Sequence, residues 1–261
     1  MKCINKNNFW KLLVFACPGL TAVTGLAEEG PRVTPYRPTV STPADLPVPG
    51  WLEMEAGGLR VRNRDGSTGD TIPYLLKYAF TQDWGVLLGG NLLARNIDAA
   101  GDRLSGIGDT NLELKHRMAV DENHAFGIEL GFKEPTAKTG LGTGKRDYLI
   151  NGIYSADFQP WHMDLNLGGT RLGAVADVEG RWQTQWAASL SRSLVERWGA
   201  EMEFSGTRQN NIPSTSQFLA ALSYASGNRV VWDAGMAKGL NTASQNWSVF
   251  AGVSILLERV H

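Results

Sequence analysis

The most regular pattern of polar side chains lies between residues 107 and 118. Polar residues occupy every second position there, at Asp109, Asn111, Glu113, Lys115 and Arg117, and the positions between them are largely apolar. Because successive side chains of a strand leave opposite faces of the pleat, this period of two predicts a β-strand with one ionic face and one apolar face. Such a strand fits either a soluble sandwich or a membrane barrel with a wet lumen.

The histidines bear on whether the chain is an enzyme. A serine nucleophile needs a histidine base and an orienting partner within hydrogen-bonding reach. The four histidines, His116, His124, His162 and His261, are instead predicted near short turns between strands or at the end of the chain. We therefore predict no catalytic residues and no enzymatic activity. A surface enzyme remains an alternative interpretation.

Two other features of the sequence bear on ligand binding. Residues 140–145, GLGTGK, resemble a phosphate-binding loop, but that loop requires a helix after it and a strand is predicted instead. The acidic residues are spread along the chain without the spacing of metal ligands. We predict no cofactor and no metal site. The cations around this loop, Lys138, Lys145 and Arg146, are expected to meet lipopolysaccharide or a solute.

Charge and hydropathy exclude two classes of protein. The 261 residues include 25 Lys and Arg against 26 Asp and Glu, for a net charge of -1. That balance argues against nucleic acid as a partner, since a basic face would be expected. The mean hydropathy of -0.20 argues against a bundle of apolar helices.

The N-terminal residues have the pattern of a secretory signal. Three lysines precede the apolar run of residues 12–23, and the small residues 25–27 follow it. This pattern predicts a signal peptide over residues 1–27, with cleavage after Ala27. Both cysteines, Cys3 and Cys17, lie inside it, so the mature chain is predicted to have no thiol.

A proline-rich stretch follows the predicted signal. Residues 28–50 contain Pro31, Pro35, Pro38, Pro43, Pro47 and Pro49. This density excludes a helix or a central strand, so residues 28–50 are predicted to be an extended or disordered periplasmic segment. Residues 51–261 form the third predicted region, in which short alternating runs are divided by Gly, Asn, Asp and Pro.

About twelve strands are predicted in this third region. Their spans are 51–62, 71–80, 84–94, 107–118, 124–133, 146–158, 161–170, 182–194, 198–208, 215–225, 230–239 and 246–257. Most of them alternate apolar and polar positions, as in the set Phe126, Ile128, Leu130 and Phe132 opposite Glu129 and Lys133. No strand interior is apolar on both faces, which excludes a buried parallel sheet.

The connections separate a barrel from a sandwich. Short turns are predicted at 81–83, 119–123, 159–160, 195–197 and 226–229, and longer connections lie between them at 63–70, 95–106, 134–145, 171–181, 209–214 and 241–245. Trp84, Trp161 and Trp198 each follow a short turn, where an indole suits a membrane interface. We therefore predict an all-β, antiparallel up-and-down transmembrane β-barrel with short periplasmic turns and longer extracellular loops.

Four stretches resemble a known family. GIGDTNLELKHRM resembles the signature strand of the outer-membrane transporters named for the MetA pathway of phenol degradation, and KEPTAKTGLGTGKRDY resembles their Pro-Thr loop. VVWDAGMAKGLN with FAGVSI resembles their closing hairpin, and RPTVSTPADLPVPGWLEMEAG resembles their proline-rich approach to the first strand. The resemblance implies an outer-membrane channel for a small solute, such as an aromatic or apolar compound.

The predicted lumen carries the candidate functional residues. They are Asp109, Asn111, Glu113, Lys115, Arg117, Glu129, Lys133, Asp147 and Asn151. Opposite charges on adjacent strands either set the selectivity of a conduit or mainly satisfy one another and close it. The first interpretation predicts passive passage of a small solute, and the second predicts a structural or interaction barrel. Expected partners are outer-membrane lipid, lipopolysaccharide, the solute and the barrel assembly machinery.

Overall fold

The computed structural model describes residues 30–260, so the predicted signal peptide of residues 1–27 lies outside the described residues. Thirteen strands are present among these residues. They are β1 (Trp51–Arg62), β2 (Thr68–Ala79), β3 (Trp84–Ile97), β4 (Arg103–Gly106), β5 (Thr110–Ala119), β6 (His124–Glu134), β7 (Asp147–Phe158), β8 (Trp161–Arg171), β9 (Trp182–Val195), β10 (Trp198–Gln209), β11 (Ile212–Ala225), β12 (Val230–Gly239) and β13 (Trp247–Arg259). None of the described residues forms a helix with the length and hydropathy needed to cross a membrane.

Twelve of these strands close into one antiparallel barrel. Each pairs with its neighbours in chain order, β3 pairs with β5, and β1 pairs with β13 to complete the ring. The remaining strand, β4, pairs only with the end of β3 at the rim. Closure leaves none of these twelve strands as an open edge of the sheet. The predicted fold class is confirmed.

Three local differences separate the structure from the sequence prediction. Strand β4 forms within the connection predicted at 95–106. Strand β5 begins at Thr110, so residues 107–109 belong to the preceding loop. The long connection predicted at 209–214 is only the turn of residues 210 and 211, because β10 and β11 extend towards each other. Asn211 occupies the left-handed region there, with φ of 61°, which asparagine tolerates better than most residues.

The two ends of the barrel differ. One end carries the short connections at 80–83, 120–123, 159–160, 196–197 and 226–229, and we call it the short-turn end. The other carries the connections at 63–67, 98–109, 135–146, 172–181, 210–211 and 240–246, and we call it the long-loop end. Apart from the turn at 210–211, the predicted alternation of short and longer connections is present.

The outer surface of the wall is a belt of exposed apolar side chains. It includes Ile72, Leu88, Leu112, Leu114, Phe126, Leu130, Ile150, Leu165, Leu167, Met202, Phe204, Leu222, Met236 and Val249. A continuous apolar surface of this kind is unusual for a protein surrounded by water and is expected where lipid faces a barrel. Trp84, Trp182 and Trp198 are exposed at the first positions of their strands.

Residues 30–50 pass through the inside of the barrel, and we call them the inner segment. The sequence predicts a periplasmic segment here, whereas the structure surrounds it with wall strands. Its backbone and side chains bond to inward-facing residues of β1, β2, β5, β6, β7, β8, β10 and β12. Partners on strands around the whole ring are possible only for a segment inside it. Tyr36, Ser41 and Ala44 are accordingly buried.

Candidate functional site in the lumen

Buried charges hold the inner segment to β1 and β2. Lys77 Nζ lies 2.9 Å from Glu53 Oε2 and 2.6 Å from Glu55 Oε1, and all three side chains are almost completely buried. The same ammonium donates to the carbonyl of Thr34. Glu55 also accepts a 2.7 Å hydrogen bond from the backbone N–H of Tyr36. Charges this deeply buried need such a full set of partners.

Tyr36 occupies the centre of this arrangement. Its ring lies between two ammonium groups, with Lys77 Nζ 4.0 Å and Lys115 Nζ 4.2 Å from the ring centroid. Such cation–π contacts strengthen where water is excluded. The Tyr36 hydroxyl donates a 2.6 Å hydrogen bond to the carbonyl of Asp45, which joins the first and last parts of the inner segment.

The inner segment is also tied to the opposite side of the wall. The guanidinium of Arg37 forms two 3.0 Å hydrogen bonds with the carboxylate of Asp233 on β12. The N–H of Ser41 donates to Glu203 Oε2 on β10 at 2.7 Å. Further contacts are those of Thr42 with Asn166 and of Ala44 with Ser155. The segment therefore spans the lumen from one side to the other.

A cavity of about 460 Å³ occupies the lumen between the inner segment and the long-loop end. Val40 and Thr42 of the inner segment form part of its floor. The wall contributes amide and hydroxyl side chains, namely Asn151, Asn166, Thr170, Gln185, Ser205, Thr207, Thr215, Ser216, Gln217, Ser244 and Gln245. Glu113 and Glu129 are the ionisable residues that line it. The cavity thus offers mainly uncharged donors and acceptors to a solute.

A second cavity of about 320 Å³ opens at the short-turn end beside β7 to β11. Its lining includes Ser191, Ser193, Glu201, Ser223 and His162. Two carboxylates, Asp157 and Glu201, line it together with the cation Arg192. No residue of the inner segment lines this cavity.

The predicted site residues divide into three groups. Glu113, Glu129 and Asn151 line the larger cavity. Lys115 lies 3.0 Å from Glu129 and 2.5 Å from the carbonyl of Pro43, so its charge holds the inner segment.

Arg117 belongs with Lys115 to the second group, which holds the inner segment, and Lys133, Asp109 and Asp147 form the third. Arg117 likewise pairs with Asp45 of the inner segment at 2.8 Å. Lys133 bridges Asp147 at 2.7 Å and Asp109 at 3.3 Å near the long-loop end. Asn111 forms no side-chain hydrogen bond with any residue between 30 and 260.

Sequence reasoning missed the inner segment and the amide-rich wall. Proline density indicates an extended chain but not its location, and the contacts of the segment are largely to its backbone. Gln185, Gln217 and Gln245 are uncharged and separated by long stretches of sequence. The available signal was their place on the polar face of alternating strands.

The histidines form no nucleophilic arrangement in the described part of the chain. His162 Nδ1 lies 2.8 Å from Asp157 and its Nε2 lies 3.1 Å from Asp164. Ser155 bonds to Asp164 rather than to this histidine, so the imidazole cannot take the serine proton directly. His116 stacks on Trp84 with the ring centroids 4.1 Å apart. No group of potential ligands among residues 30–260 could hold a metal ion.

Comparison with solved structures identifies the architecture. The KdgM porin superposes with a TM-score of 0.54 at 11% identity, over 79% of this chain and 99% of that one. KdgM in complex with disordered oligogalacturonate gives 0.55 at 9% identity, with the same coverage. The chain has the fold of these porins.

The NanC porin supports the same conclusion. It gives a TM-score of 0.55 at 9% identity, over 79% of this chain and all of that one. No model of a protein family matches the chain, and no curated protein matches it. The resemblance to the transporters named for phenol degradation therefore stays a prediction.

Proposed function

We propose that this chain is an outer-membrane channel for the passive passage of a small uncharged solute. The observation that carries the proposal is the cavity of about 460 Å³ at the long-loop end. A barrel with a purely structural role has no need of a roomy, hydrogen-bonding space in its lumen. The porins that share the fold make a channel the natural use of that space, and the apolar outer belt supports a place in lipid.

The lining of this cavity favours a solute with hydrogen-bonding groups. Gln185, Gln217 and Asn166 offer both donors and acceptors without a fixed charge. Val40 adds an exposed apolar surface at the floor. A small polyol or a hydroxylated aromatic molecule would satisfy both features. Aromatic solutes, which the family resemblance implies, are therefore one part of this proposal.

The inner segment is proposed to stay in place during passage. Removing it would unpair the buried Asp233 from Arg37 and would take a carbonyl partner from each of Lys77 and Lys115. Breaking one buried ion pair typically costs about 3–5 kcal/mol. The solute would then have to pass beside the segment.

A second candidate function rests on these same contacts. If the charges of the wall and the inner segment close the lumen permanently, the barrel is a structural or interaction protein. The buried pair of Lys115 with Glu129 favours this alternative. The two candidates differ in one measurable property, which is permeability.

Liposome swelling with the purified protein tests the proposal. We expect vesicles containing the folded barrel to swell in small uncharged polyols and hydroxylated aromatics, with rates that fall as solute size increases. Protein-free vesicles are the control for leakage. Absence of swelling for every solute, with the barrel shown to be folded by its heat-dependent mobility in a gel, would favour the structural alternative.

A further inference from the structure

The cross-section of the lumen at the level of the inner segment is filled on two sides. The inner segment covers the side formed by β1, β2, β5 and β6 through its bonds to Glu55, Lys77, Lys115 and Glu129. Beside β11 to β13, Leu219, Ala221 and Ala237 form a buried apolar cluster against which Phe250 packs. Along β8 to β10, between these fillings, the inner segment forms hydrogen bonds only with Asn166 and Glu203 among the described residues.

The two cavities approach each other along that part of the wall. On β8 the larger cavity reaches Asn166 and the smaller reaches His162. On β9 the corresponding residues are Ala187 and Ser191. On β10 they are Ser205 and Glu201. Since only alternate residues face inward, one inward residue on each strand separates the cavities.

Those three residues form one continuous row across the strands. Ser189 on β9 is the register partner of Asp164 on β8 and of Glu203 on β10. All three are buried, with exposed fractions of 7% for Asp164, 6% for Ser189 and 0% for Glu203. Ser41 of the inner segment covers the row by donating its N–H to Glu203. We call Asp164, Ser189 and Glu203 the septum.

We propose that the solute path of this channel crosses the septum, and that Glu203 determines which charges pass. The proposal rests on the channel function proposed above and specifies its route. The septum is one layer of side chains thick, and its middle member is a small serine. Joining the two cavities requires the Glu203 carboxylate to turn away from the Ser41 N–H while the backbone of the inner segment stays in place.

The charges around the septum give the path its selectivity. Glu203 Oε1 is buried without a hydrogen-bond partner among the described residues. Asp164 and Asp233 are matched by His162 and Arg37. The excess of carboxylate favours cations and uncharged solutes over anions, because fixed charges act strongly in a narrow, poorly screened lumen.

A single cysteine in the septum tests the route. The variant is Ser189→Cys. The matched control is Ser254→Cys on β13, because Ser254 is also a buried serine but lies outside the septum. Conductance is recorded in planar bilayers before and after a charged methanethiosulfonate reagent, and mass spectrometry scores labelling. We expect labelled Ser189→Cys to lose most of its conductance, and Ser254→Cys to keep it. Labelled Ser189→Cys with unchanged conductance would overturn the route.

A charge-neutral substitution tests the role of Glu203. Glu203→Gln keeps the size of the side chain, and Glu53→Gln is the control, because Glu53 is equally buried but lies on β1 beyond the inner segment. We expect the reversal potential in a salt gradient to shift away from cation preference in Glu203→Gln and to stay near the wild-type value in Glu53→Gln. An equal shift in both, or none in Glu203→Gln, would contradict the assignment.

The same recordings separate failure of the route from failure of the function. A folded wild-type barrel without any conductance or solute uptake rejects the channel itself. If the wild type conducts and neither septum variant changes its conductance or selectivity, only the route is rejected. The path would then lie on the side of the lumen that the inner segment fills.

Discussion

The guanidinium of Arg37 and the carboxylate of Asp233 form a bidentate ion pair inside the barrel. Both hydrogen bonds measure 3.0 Å, and the two residues are 196 positions apart in the chain. The pair fastens the inner segment to β12, and the side chain of Asp233 is only 2% exposed. Two glycines of the wall make room for Arg37, because a Cβ at Gly57 or Gly252 would lie 2.7 Å or 2.5 Å from guanidinium nitrogen atoms.

Removing one member of this pair should destabilise the barrel. In Arg37→Leu the Asp233 carboxylate stays buried without its partner, and such a loss typically costs about 3–5 kcal/mol. The double variant Arg37→Leu, Asp233→Leu should recover much of that cost, because no charge is left unpaired. Urea unfolding in lipid vesicles measures the free energies. A double variant as unstable as the sum of its single variants would show that the pair is not coupled.

The space at Gly252 provides a separate test of the same contact. Gly252→Ala should displace Arg37 and lower stability, since the new Cβ would lie 2.5 Å from its Nε. Gly58→Ala is the matched control, because no atom lies within 4 Å of a Cβ there. Unfolding midpoints of the two variants are compared with the wild type. Equal midpoints for Gly252→Ala and Gly58→Ala would show that the Arg37 guanidinium does not pack against Gly252.

The two faces of β5 should respond differently to substitution. Leu112 is exposed on the outer belt, so Leu112→Arg should cost about 2–4 kcal/mol near the middle of a bilayer. Glu113 faces the larger cavity and has no hydrogen-bond partner among the described residues, so Glu113→Gln should cost much less. The folded fraction in vesicles is the measurement. A larger loss for Glu113→Gln would reverse the assignment of the faces.

The orientation of the barrel in the membrane follows from its two ends. We expect the long-loop end outside the cell and the short-turn end in the periplasm. Cysteines at Thr139 and Gln159 report on opposite ends, because Thr139 lies in a long loop and Gln159 in a short turn. An impermeant maleimide on intact cells should label Thr139→Cys alone. Labelling of Gln159→Cys alone would mean the opposite orientation.

The wall of the barrel was predictable because its signals are local. Alternation along single strands, as in Phe126 to Phe132, and turn-forming residues at regular intervals predicted twelve strands and their bounds to within a few residues. The path through the lumen was not predictable in the same way. Lys115 meets Pro43 across 72 positions, and the donors of the inner segment are largely backbone N–H groups that no side-chain pattern reveals. Nothing in the sequence distinguishes Ser189 from the other serines, and only the strand register shows that it lies beside Glu203.

The central claim is that solute passes beside an inner segment that stays in place. A disulfide between Ala44→Cys and Ser155→Cys would lock the segment, since the Ala44 N–H lies 2.7 Å from the Ser155 hydroxyl and brings the two residues within reach of such a bond. Solute uptake into vesicles is measured for the locked barrel and again after reduction. We predict the same uptake in both states. Uptake that appears only after reduction would show that the segment must move, and would contradict the account.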